Sequence, residues 1–266
     1  MRYALALGVI LLGSASAGAM ADEGDEGGGK PPRIVRVAVG AEIAPDHVGA
    51  KGTRLSPLVN FDLKRRGEEF EFEAPDESFG FSLIDVGPLE LGPALNLERA
   101  RRPSRFPVPV DKVPTTFEAG AFAQVYLGKA FRVRGELRKG LGGHDGWISQ
   151  LSADFIARHK DDYVFSIGPR LSWADKDYQR AYFGVTPAMS AASGLAAFDP
   201  DSGVRGVGAA TSLIYQFTPR WGIQAYGRWE RLTGDAGRSP LIRTYGSRNQ
   251  MSAGLALSYT FRLSKR

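Results

Sequence analysis

The sequence contains no cysteine, which excludes disulfide staples, thiolate nucleophiles and cysteine-ligated metals. It has only three histidines, His47, His144 and His159, far apart in the chain, and His47 has no ligand-like neighbour at short spacing. Charge of one sign is lacking too. The 34 basic and 29 acidic residues leave a formal +5, and no basic run interleaves with aromatics as a nucleic-acid site requires. Long apolar runs are also missing. The apolar stretch Leu5–Leu12 is far shorter than the ~20 residues of a membrane-spanning helix, and no later segment is long and apolar enough either.

What stands at the start is an export signal. Arg2 gives a basic n-region, Leu5–Leu12 a short apolar core, and Ala19-Met20-Ala21 a small-x-small cleavage site. Residues 1–21 are therefore expected to be removed, which deletes Arg2 and takes the formal charge from +5 to +4. Residues 22–33 begin DEGDEGGGKPP, acidic, glycine-rich and without apolar residues, and read as a flexible periplasmic leader. The remainder, 34–266, is one domain's worth for an all-β barrel.

The clearest pattern lies at the other end. In Met251–Phe261, Met251, Ala253, Leu255, Leu257, Tyr259 and Phe261 share one face, and small or hydroxylated residues fill the other. A period of two with one unbroken apolar face is a strand. With an export signal and an aromatic-x-aromatic ending, it reads as the closing strand of an outer-membrane barrel, paired with the first strand so that no edge remains. The expected fold is an all-β, transmembrane antiparallel barrel with a polar, charged lumen. The same alternation predicts strands near 35–43, 53–63, 69–73, 79–84, 89–98, 117–127, 131–138, 147–158, 163–173, 207–217 and 221–232.

Short turns on one side and long loops on the other favour an even count of about twelve strands, with ten as the alternative. Glu69–Glu73 (EFEFE) is expected to turn Phe70 and Phe72 outward and its glutamates inward. Pro57, Pro93 and Pro169 fall inside predicted strands and suggest bulges there. The loop 100–114 is basic and proline-rich, and the long connection 174–202 is expected to fold back on the barrel.

In Phe131–Arg138, Phe131, Val133 and Leu137 alternate with Arg132, Arg134, Glu136 and Arg138. Four charges on one face of a strand suit a polar lumen and not a half-buried soluble sheet. With Arg36, Glu71, Glu90, Asp154, Arg170, Arg228 and Glu230 they define a candidate lumen set of mixed sign. Such a set can line a selective pore; the interleaving of signs favours a mutually paired network that fills a moderately wide barrel. The loop Gly140–Gly146 contains Gly142, Gly143, His144, Asp145 and Gly146. A catalytic or metal-binding pair is one reading of His144-Asp145. The favoured one is a glycine hairpin whose Asp caps the turn and whose His is solvated. No catalytic, metal or cofactor site is expected, and no enzyme.

Several stretches resemble the MipA/OmpV family of MltA-interacting proteins: Ile43-Ala44-Pro45-Asp46 with Gly49, Gly92–Leu95, GLGGHDG at 140–146, Gly168–Leu195, Ser239–Ile242, and 247–261. The likeness covers nearly all of the chain beyond the leader; the five residues after Phe261 depart from a family that usually ends at the final aromatic. The resemblance implies an outer-membrane barrel; one family member is a scaffold joining a lytic transglycosylase to a peptidoglycan synthase, and that role is the leading expectation for this chain. Other members resemble surface adhesins acting through extracellular loops, or small-solute porin-like channels. It carries over no catalytic residue, and its implied partners are those enzymes and outer-membrane lipid.

Overall fold

In a computed structural model that describes residues 33–263, the chain forms one antiparallel sheet of twelve strands. The export segment 1–21 and residues 22–32 of the leader lie outside the described residues. Arg33, expected to end the leader, is the first residue of β1 (Arg33–Pro45). There follow β2 (Thr53–Arg65), β3 (Phe79–Gly80), β4 (Ile84–Val86), β5 (Leu89–Glu98), β6 (Thr116–Leu127), β7 (Phe131–Leu141), β8 (Trp147–His159) and β9 (Tyr163–Ala174). The last three are β10 (Gly203–Gln216), β11 (Trp221–Leu232) and β12 (Asn249–Leu263). First and last strands pair as expected, with Val37 opposite Tyr259.

The wall is inside-out relative to a soluble protein. Arg36 and Arg132 are each 1% exposed, whereas Leu55 and Met251 are 72% and 65% exposed. Along β7 the pattern is strict: Arg132, Arg134, Glu136 and Arg138 are buried in the lumen, and Phe131 and Leu137 face out. Water cannot be the solvent of such an outer surface; a bilayer can. Hydrogen-bonded ladders running from β2 round to β3 and β4 satisfy most of the wall's backbone where lipid offers no partner.

One expected strand is not in the wall. Residues 66–78 leave β2 and run through the lumen without strand pairing. Phe70 and Phe72, expected outside, are buried: Arg36 lies over the Phe70 ring at 4.2 Å and Arg132 over Phe72 at 4.5 Å. Phe72 and Ala74 also pack on the lumen-facing Ile156 and Val164. Cation–π contact with desolvated arginines and an apolar shelf together outweigh lipid exposure for these rings. The count of twelve is reached instead because β3 and β4 lie end to end on one edge of β5, with Phe79 opposite Leu95 and Ile84 opposite Leu91. Among the described residues no ladder joins β2 to β3 or β4, so one seam remains, with β2 as one edge and β3 and β4 as the other.

The prolines do not make bulges. Register runs unbroken through Ala41↔Pro57 and Pro93↔Ala121. Pro57 sits on the edge strand β2, and Pro93 opposite the interruption between β3 and β4, where no donor is needed. At Pro169 the β8–β9 ladder omits its pairs between Ser152↔Arg170 and Phe155↔Ile167 and keeps register. The one shift between β9 and β10 falls at Arg205, between Val204 and Gly206.

The outer loops hold four short helices that strand periodicity does not show: α1 (Lys176–Phe183), α2 (Pro187–Ser193), α3 (Gly234–Arg238) and α4 (Pro240–Tyr245). Asp175 accepts from the amide of Tyr178 and Thr186 from that of Met189, which fixes two starts, and Gly194 in the left-handed region ends α2. Tyr178, Tyr182, Phe183, Leu232, Ala236 and Ile242 form one apolar cluster here. Val110, Val185, Met189 and Leu241 form a second, covered by Phe106 and Val108 of the loop after β5. The loops therefore make a cap over the outer mouth, and 174–202 does fold back as expected. Ile167, 47% exposed in the middle of β9, should tolerate no charge: Ile167→Arg is predicted to lower unfolding stability in vesicles by ~2–4 kcal/mol, as read by urea titration.

Candidate functional site

The lumen is the candidate site, and the 66–78 segment fills it as a plug. Asp76 receives Arg170 Nε at 2.9 Å and lies 3.3 Å from Gln150 Nε2. Glu77 receives Arg132 through both of its oxygens. The wall residue Asp154 sits between the two arginines, 2.8 Å from Arg132 Nη2 and 2.8 Å from Arg170 Nη2. Asp76, Arg170, Asp154, Arg132 and Glu77 thus form a ring that ties plug to wall, alternating in sign from Asp76 to Glu77 and closed by the peptide bond between those two. Each is 5% exposed or less at its side chain. Sequence order makes the ring possible: Arg132, Asp154 and Arg170 sit on three consecutive strands with inward parity, and adjacent plug residues reach both ends.

Two further chains extend from it. Arg134 pairs with Glu136 at 2.8 Å, Glu136 with Arg138, and Arg138 Nε with Glu118 at 2.9 Å. On the other side Glu230 takes Arg205 at 2.8 Å, Arg228 at 2.9 Å and the Ser172 hydroxyl at 2.7 Å. Arg228 approaches Asp76 at 3.7 Å and joins this chain to the ring. Glu90 accepts from Gln124, whose own oxygen accepts from Arg134 at 3.0 Å. Of the expected lumen set Arg36 pairs apart from these chains, with Asp62 of β2 at 2.7 Å, and Glu71 is exposed on the rim of a cavity of about 300 Å³ shared with Glu90 and Tyr126. Alternation alone did not reveal Asp76, Glu77, Glu118 or Arg205. Glu118 alternates with the outward Phe117 on β6, so that signal was present; Arg205 sits at the β9–β10 register shift, where buried Arg205 and Gly206 follow one another and break the period.

His144 is not solvated as expected. Its side chain is fully buried and lies edge-on to Tyr178 at 4.6 Å between ring centres. Nδ1 accepts from the amide of Gly146 at 3.1 Å, so the proton sits on Nε2, which donates to Glu118 at 3.1 Å. Asp145 does cap the turn, accepting from the amide of Gly142 at 3.1 Å. A Cβ on Gly143 would lie 1.7 Å from the Thr116 hydroxyl, and one on Gly146 2.3 Å from the amide nitrogen of Tyr178. Glycine lets α1 come down on the barrel rim, and the loop is a latch between cap and lumen. Tyr178 is the shared point: its hydroxyl accepts from Arg205 at 2.7 Å, and burial pushes its pKa well above the ordinary tyrosine value, so it stays protonated. His159 is exposed beside Asp162 at 3.0 Å, as expected.

His47, in the loop between β1 and β2, is buried against Phe106. Burial and the Arg101 and Arg105 guanidiniums push its pKa down to about 4, against a smaller opposing pull from Asp46. The outer mouth beneath it opens into a cavity of about 320 Å³ bounded by Glu42, His47, Arg99 and Glu98 from the rim and by Pro75–Ser78 of the plug. At the opposite end, a larger cavity of about 960 Å³ is lined by Lys64, Phe70, Asp161, Thr218, Arg220 and Arg262. Short turns mark that end as periplasmic. Among the described residues no cluster of His, Asp or Glu is arranged to hold a metal ion.

A family model described as MltA-interacting protein MipA matches residues 37–261. No curated protein matches the chain. Among solved structures it is similar to the KdgM porin, at 10% identity over 86% of this chain and 99% of that one, TM-score 0.38. It is also similar to an outer membrane channel from Pseudomonas putida F1, at 12% identity over 91% and 100%, TM-score 0.42, and to the NanC porin, at 11% over 85% and 98%, TM-score 0.39.

Two outcomes follow from the cap. Gly146→Ala is predicted to lift α1 from the rim and raise the rate of proteolysis within 176–202 roughly tenfold, a loss of ~1.4 kcal/mol in cap docking, with the strands still protected. The lowered pKa of His47 makes cap docking pH-dependent. An undocked loop takes up a proton near 6.5 and the docked one only near 4, so docking is at full strength above pH 6.5 and weakens as pH falls from there to about 4. The protection factors of residues 46–52, taken relative to the intrinsic exchange rate at each pH, should fall over that window in the native protein and not in His47→Gln.

Proposed function

The chain belongs to the MltA-interacting protein MipA family, and we propose that this outer-membrane β-barrel is a non-enzymatic scaffold for peptidoglycan-remodelling enzymes, a lytic transglycosylase and a murein synthase. The observation that carries this reading is the filled lumen. Asp76 and Glu77 occupy the arginines that would otherwise face a solute, and the helical cap covers the outer mouth. A barrel in this state offers its ends and not its interior. Of the two ends, the periplasmic one faces the cell wall. It presents an open concavity of about 960 Å³ with Lys64, Arg220 and Arg262 beside Asp161, a mixed polar rim of the kind protein partners use. The family's name, MltA-interacting protein, is in keeping with a lytic transglycosylase as one partner.

The test is capture of the tagged protein from gently solubilised envelopes, with identification of what copurifies. A murein hydrolase recovered together with a synthase is expected, and Lys64→Glu/Arg220→Glu should lower that recovery several-fold while the barrel still assembles. Recovery of assembly factors alone contradicts the scaffold reading.

A further inference from the structure

The EFEFE alternation at Glu69–Glu73 has the period of a wall strand, yet these residues lie in the lumen. The wall is open at the place in the chain where that strand belongs. β2 has thirteen residues and a free edge, and across the seam β3 and β4 offer only two and three residues.

Direction makes the match closer. β2 runs toward the periplasmic turns, and so do β3 and β4, because both pair antiparallel with β5. Two neighbours running the same way at a seam leave room for one strand running the other way. The plug does run the other way, from Arg66 at the periplasmic end up to Ser78 before β3. Placed in the seam, it would be antiparallel to both neighbours. With β3 and β4 sharing one position in the wall, it would complete an even number of strands, the rule for bacterial barrels. Phe70 and Phe72 would then face lipid and Glu69, Glu71 and Glu73 the lumen. Pro75 would mark the upper end of the added strand, since it cannot donate to a ladder.

We propose that residues 66–74 are an exchangeable wall strand, and that their move from lumen to seam closes the barrel and opens a gated, water-filled passage for small ions. In the lumen state the segment is held by the Arg170–Asp76 and Arg132–Glu77 pairs and by the two rings under Arg36 and Arg132. In the wall state it gains ladder hydrogen bonds on two sides and returns both rings to lipid, while Asp154 stays behind as partner to both arginines. The free edge of β2 is therefore half of a two-state element.

The absence of cysteine makes the test direct. Phe72→Cys, labelled with bimane, is reconstituted in vesicles containing brominated lipid, with and without Asp76→Asn/Glu77→Gln, and the same proteins are measured in planar bilayers. Assembly is checked by heat-modifiable gel mobility. With the native carboxylates the label should escape quenching and the bilayer should stay closed apart from rare openings. The double substitution should bring lipid quenching and raise the open-time fraction at least roughly tenfold, which is ~1.4 kcal/mol in the balance of states. Quenching without conductance, conductance without quenching, or neither overturns the proposal. Glu77→Gln alone leaves Asp76 on Arg170 and should show both effects at smaller amplitude; it decides the matter if the double variant does not assemble.

Discussion

The structure depends on charge pairing inside a barrel whose lumen holds only a small apolar cluster, Phe72, Ala74, Ile156 and Val164, among its charges. Buried guanidiniums along β1, β7, β9 and β10 cannot stay unpartnered in a lumen closed to bulk water, since an isolated buried charge costs far more than any local packing returns. Each is met by a carboxylate of a neighbouring strand or of the plug. Asp154 serves Arg132 and Arg170 together, and Glu230 serves Arg205 and Arg228. This requirement explains the placement of the 66–78 segment. Asp154 gives one oxygen to each of the two guanidiniums, and Asp76 and Glu77 supply further acceptors.

The same pairing carries structure outward. From the ring the contacts pass through Arg228 and Glu230 to Arg205, and from Arg205 to the hydroxyl of Tyr178 in α1. A second line passes through Glu136, Arg138 and Glu118 to His144, which touches the same tyrosine. Plug, wall and cap are thus one connected unit. Partial satisfaction would be worse than none in such a network, and the glycines of the 140–146 loop are what let its last member sit close enough to close it.

Much of this was legible in the residues. Period-two alternation located most of the wall, and the four inward charges of β7 announced a paired lumen before any contact was visible. The plug was not legible, because EFEFE has a strand's local pattern and its fate is set by Arg132 and Arg170 far along the chain. His144 was misread for a related reason. Its neighbours in sequence are glycines and an aspartate, while Glu118, Thr116 and Tyr178, which bury it, come from elsewhere. The cap helices left a readable signal in Asp175, Thr186-Pro187 and Ser239-Pro240, but strand periodicity drew attention away from it. Pro169 was taken for a bulge because a missing donor can be absorbed by skipping ladder pairs without shifting register, which one strand read alone does not show.

The claim that plug and cap belong to one electrostatic unit is tested most directly by a double-mutant cycle between Asp76 in the plug and Tyr178 in the cap. Unfolding would be followed in lipid vesicles for Asp76→Asn, Tyr178→Phe and the pair. Residues this remote should be additive unless a network couples them. The account predicts an interaction energy above ~0.5 kcal/mol, carried through Arg228, Glu230 and Arg205. Additivity within error would contradict it and leave plug and cap as separate devices on one barrel.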